Sequence, residues 1–79
     1  MATDTYLDLL GIVSGYLADA KAREVIARQM AKCGSTPETL QPTDLKKISQ
    51  MVAGAAGLYV ADPNQRRDLA RKVEGLVSG

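Results

Sequence analysis

Histidine, phenylalanine and tryptophan are absent from this 79-residue chain, and one cysteine, Cys33, stands alone. Without histidine, neither a Ser-His nor a Cys-His nucleophile can be assembled, and the usual zinc ligand sets are missing. A single thiol cannot close an intrachain disulfide. It fits a reducing compartment, so a cytoplasmic location is expected. Cys33 falls near the end of a helical pattern, where the helix dipole disfavours a thiolate, and it reads as inert. No strand–GxxxxGK[ST]–helix phosphate loop occurs, and no acidic spacing resembles a calcium loop. The expectation is a non-enzymatic protein with no cofactor and no metal.

Charge of one sign is also lacking. Ten basic residues stand against nine acidic ones, a net charge of +1. That balance gives no argument for a polyanionic partner. Long hydrophobic runs are missing as well: the longest uncharged stretch, Ile48 to Ala61, is shorter than the roughly 20 residues needed to cross a bilayer. Residues 1–20 carry Asp4, Asp8 and Asp19 and no base, so a signal peptide is not expected, nor is a membrane partner.

What the chain does have is small and branched aliphatic residues at helical spacing, and a repeat. Displaced by 43 positions, residues 7–30 pair with 50–73, and Gly11/Gly54, Tyr16/Tyr59, Ala18/Ala61, Asp19/Asp62, Arg23/Arg66, Ala27/Ala70 and Arg28/Arg71 are identical. In each copy an apolar run ends on Tyr, Asp follows, and an Arg-containing helical pattern begins. The expected architecture is an all-α, compact four-helix domain over 1–79 built from two pseudo-repeated helical hairpins. Hairpin one covers about 5–33, a hinge 34–42, and hairpin two about 43–77. A period in this range is the usual mark of a duplicated supersecondary unit.

The spacing predicts a first helix from Thr5 to Leu17, capped by Thr3 or Asp4, with Tyr6, Leu9, Leu10, Val13, Tyr16 and Leu17 on one stripe. A second helix is predicted over Ala20–Cys33, with Ala22, Val25, Ile26, Met30 and Cys33 inward and Gly34 as its stop. In the Pro-containing connection, a single turn is expected at Pro37–Leu40, with Leu40 tying it to the core. The third helix is predicted over Thr43–Val60, carrying Leu45, Ile48, Val52, Ala55 and Tyr59 on a heptad-like stripe. The fourth runs from Pro63 to Val77, with Leu69, Val73, Leu76 and Val77 inward, and frays at Ser78–Gly79. Asp19 and Asp62 are expected to cap helices two and four and to pair with Arg23 and Arg66 at i,i+4. Gly11 and Gly54 suggest a close crossing of helices one and three.

Two functional readings follow. Leu7 and Ile12, with Met51 and Leu58, widen two apolar stripes beyond one face, and surplus apolar surface marks an interface. A chain below about 80 residues often gains stability from oligomerisation, and a twofold homodimer is the commonest form. The first reading is therefore a protein–protein interaction module of regulatory or adaptor type, binding itself or another protein. The alternative is a small nucleic-acid-binding protein that uses Arg23 and Arg28 on helix two with Arg66, Arg67, Arg71 and Lys72 on helix four. Near-neutral charge, with acids on both basic helices, places it second.

Overall fold

The computed structural model describes residues 2–78 and contains four helices: α1 (Asp4–Val13), α2 (Asp19–Lys32), α3 (Pro42–Gly57) and α4 (Pro63–Ser78). The fold is the expected all-α four-helix domain. α3 packs most extensively on α4 and next on α2, while α1 leans mainly on α4. Neighbouring ends show an up-and-down arrangement. The Thr3 amide donates to the Pro37 carbonyl at 2.9 Å, bringing the start of α1 to the connection that precedes α3. At the other end Lys21 of α2 lies 4.8 Å from the ring centroid of Tyr59, which follows α3.

Local sequence explains most of the helix ends. Thr3 caps α1, accepting from the Tyr6 amide at 3.2 Å. α2 closes with a Schellman turn: Gly34 takes φ 71°, Ser35 N–H reaches the Met30 carbonyl at 2.9 Å, and Gly34 N–H reaches that of Ala31 at 3.3 Å. The left-handed φ favours glycine there. The turn at 36–40 is held by Thr36 and Thr39, whose side chain accepts from the Thr36 amide at 2.9 Å. It delivers Leu40, fully buried, into the core. Asp44 accepts from the Gln41 amide ahead of α3 at 3.1 Å. Asp62 accepts from the Asn64 amide at 2.9 Å, and Pro63, which has no N–H to leave unpaired, opens α4.

The core draws on every helix: Leu9 and Val13 from α1, Val25, Ile26 and Met30 from α2, Ile48 and Val52 from α3, Leu69 and Val73 from α4. The surface area of 4740 Å² compares with about 4,600 Å² for a self-contained monomer of this mass. The radius of gyration, 11.2 Å, compares with about 11.6 Å for a compact domain of this length. One chain closes its own core without a second.

Several details differ from expectation. α1 stops at Val13 rather than Leu17, because Gly15 and Tyr16 tighten onto the Ile12 and Val13 carbonyls in a three-residue pattern. Ala18, not Asp19, is the N-cap of α2; the Asp19 carboxylate instead holds Arg23 at 2.8 Å. Asp62 and Arg66 form no such pair, and the Arg66 side chain lies against Gly57 instead. α4 stays helical through Ser78, while Gly79 lies outside the described residues. α3 ends at Gly57 rather than Val60, because Leu58, Tyr59 and Val60 tighten onto the Ala55, Ala56 and Gly57 carbonyls, and this turn buries Val60 and leaves Tyr59 half-exposed.

The crossing of α1 and α3 at Gly11 and Gly54 does not occur. Both glycines are exposed, a Cβ added at either would meet nothing within 4 Å, and α1 and α3 touch least of the packed helix pairs. The halves also pack unequally: α1 touches α2 sparingly, whereas α3 and α4 form the largest interface.

Two outcomes follow for chemical denaturation. Gly11→Ala and Gly54→Ala should each stabilise the fold by about 0.5–1 kcal/mol, since helical glycine is costly and no neighbour is displaced. Leu40→Ala should destabilise by about 2–5 kcal/mol, the range for a fully buried leucine.

Candidate functional site

An open groove of about 600 Å³ lies between α1 and α4. α1 supplies Leu7, Asp8, Gly11 and Ile12, and the following turn supplies Gly15 and Tyr16. Gln65, Asp68 and Lys72 of α4 form the other wall. Helical spacing explains the first wall: Leu7, Gly11 and Gly15 recur every fourth residue, so an exposed leucine stands beside two positions with no side chain. Leu7 is 51% exposed, whereas Ile12 is half-buried and packs against the core.

The polar wall is tied together at one end. The Tyr16 hydroxyl donates to Asp68 Oδ2, and Lys72 Nζ lies 3.5 Å from the same oxygen and 5.4 Å from the Tyr16 ring centroid. The Tyr16 hydrogen bond, aided by the Lys72 charge, holds the Asp68 carboxyl below its ordinary pKa. Lys72 is raised, first by the Tyr16 hydroxyl and then by the charge of Asp68. Asp8, across the groove, has no ion-pair partner among the described residues.

The structure brings together only some of the residues singled out from the sequence. Leu7, Ile12 and Lys72 share the groove; Met51 and Leu58 do not line it. Met51 is half-buried against the core. Leu58, at 85% exposure the most exposed large apolar side chain, projects beyond α3 beside Tyr59, which is 50% exposed. Among the basic residues, Arg23 is held by Asp19 and Arg28 by Glu24 at 2.9 Å, each within α2. Arg66, Arg67 and Arg71 are exposed on α4. Asp8, Gly15, Gln65 and Asp68 were missed as groove residues. The Asp68/Lys72 spacing of four marks them as helical neighbours, but nothing in it says that Tyr16 will join them from 52 residues away.

No helix among the described residues is long and apolar enough to cross a membrane. Comparison with known protein families, curated proteins and solved structures found no match to this chain.

The Tyr16–Asp68 bond has a signature in acid. Because the folded carboxyl is lowered, its stabilisation is fully present above the ordinary carboxylate pKa and is lost as pH falls through the lowered value. Tyr16→Phe should raise the Asp68 pKa, read by NMR titration, and move the onset of acid unfolding to higher pH.

Proposed function

We propose that this chain is a non-enzymatic helical interaction module of regulatory or adaptor type, and that it self-associates through the α1 face of the groove. The observation that carries this reading is a knob and a hole on one helix face. Leu7 is half-exposed, and one turn on Gly11 offers open space where a side chain would stand. Such a surface is self-complementary. Under a twofold axis Leu7 of each copy seats over Gly11 of the other, the arrangement an isologous contact requires. Asp8 and Lys72 flank the groove with opposite charge, so the same axis sets each acid toward the partner's base.

The contact is small. The core is already closed within one chain, so association adds to a folded monomer instead of completing it, and a weak, reversible dimer is expected. Other proteins with an exposed leucine on a helix would compete for the same hole, which suits an adaptor.

The nucleic-acid reading loses ground at α2. Arg23 and Arg28 each face an acid of their own helix, and Lys72 faces Asp68. Exposed pairs of this kind are individually weak, about 0–1 kcal/mol, but they occupy these three cations locally. Among the described residues Arg66, Arg67 and Arg71 form no ion pair but lie on α4 alone, so they make no stripe across two helices.

Sedimentation velocity over a concentration series reaching the millimolar range tests the proposal. The native chain should show a reversible monomer–dimer equilibrium. Leu7→Glu should weaken it by about tenfold or more with helicity retained, since truncating a central contact typically removes over 1 kcal/mol. Changing Arg67 and Arg71 to Glu should leave it unaltered. If Leu7→Glu has no effect, while the double charge reversal abolishes a steeply salt-dependent affinity for nucleic acid, the alternative replaces this reading.

A further inference from the structure

We infer that the hollow between α3 and α4 is a binding site for a small neutral molecule, an alcohol or phenol with one ring or a short chain, anchored by the hydroxyl of Ser49. The hollow shares no lining residue with the α1–α4 groove and does not depend on self-association.

Ser49 is only 6% exposed, yet its hydroxyl has no hydrogen-bond partner among the described residues. A helical serine ordinarily returns its hydroxyl to a carbonyl one turn back, as Ser14 does to Gly11 at 3.3 Å. Among the described residues no sealed polar side-chain atom lacks a partner, so the small remaining exposure of Ser49 includes its Oγ. Ser49 lines two adjoining hollows, the places where that oxygen can meet a ligand. The hydroxyl of a residue more than nine-tenths buried, left without a protein partner, is an anchoring point that both donates and accepts.

The inner hollow, about 260 Å³, has Ala53, Ala70 and Val73 as its apolar walls and Gln50 and Glu74 beside Ser49. An outer hollow of about 430 Å³ shares Ser49, Gln50 and Glu74 and adds Lys46 and Val77. Alanines make the space. Positions 43 residues earlier than Ser49 and Ala53 hold Tyr6 and Leu10, both buried, so the equivalent stripe of α1 is filled with bulk where α3 is not. An apolar cavity of about 150 Å³ takes one benzene, so the inner hollow suits a single substituted ring. Lys46 and Glu74 bring opposite charges to the rim, which favours a neutral ligand over an ion of either sign.

Benzyl alcohol and toluene, which differ by the hydroxyl, are the probes, with amide and methyl NMR shifts of the full chain as the readout. Both should give saturable shifts centred on residues 46–53 and 70–77, and benzyl alcohol should bind about two- to tenfold more tightly. Ser49→Ala should remove that preference while toluene still binds. Ala70→Leu should abolish binding of both, with the helical spectrum checked for each variant. Absence of saturable shifts, shifts centred elsewhere, or an unchanged preference in Ser49→Ala would each overturn the assignment.

Discussion

The close seating of α3 against both α2 and α4 is the constraint on which the rest of the molecule depends. It runs along Leu45, Ile48, Val52 and Ala56, all buried, and it needs Ala56 to stay small where the helices come together. No phenylalanine or tryptophan is present to fill space elsewhere, so interlocking leucine, isoleucine, valine and methionine carry the core. Leu40 and Val60, both outside the helices, are recruited into it. With few aromatic rings available, good complementarity between aliphatic stripes decides stability.

The same economy of side-chain size shapes the surface. Where α3 meets α4, Ala53 and Ala70 keep the backbones supported but leave a recess at Ser49. Where α1 meets α4, Gly11 and Gly15 leave a longer groove, and the Tyr16–Asp68–Lys72 cluster pins its far end. Both recesses are flanked by side chains able to give specificity, but they differ in kind. The first is smaller, mostly apolar and lined by Ser49. The second is open and bordered by an exposed leucine, which suits another protein surface.

Much of the fold was legible because its signals were local. The α2 stripe and its glycine stop, the Thr3 cap, the Asp62–Pro63 start of α4 and the plugging role of Leu40 each rest on a few adjacent residues. The misreadings share a different cause: they required knowing which helices meet. Gly11 and Gly54 were matched in sequence but face open space. Asp19 had two uses open to it and took the ion pair, leaving Ala18 as the cap. Of the four surplus apolar residues, Ile12 and Met51 pack against the core while Leu7 and Leu58 stay out, Leu58 because α3 has ended before it. Ser49 gave no sign in sequence, since an isolated serine in a helical pattern is usually a solvated one.

The central claim is that one chain closes its own core and that any contact between copies is added afterward. Urea unfolding, followed by circular dichroism at protein concentrations a hundredfold apart, tests it most directly. A self-sufficient monomer unfolds in one cooperative step whose midpoint stays fixed across that range. A midpoint that climbs with concentration would show that folding and association are coupled, and the chain would then be an obligate oligomer whose core is completed by its partner.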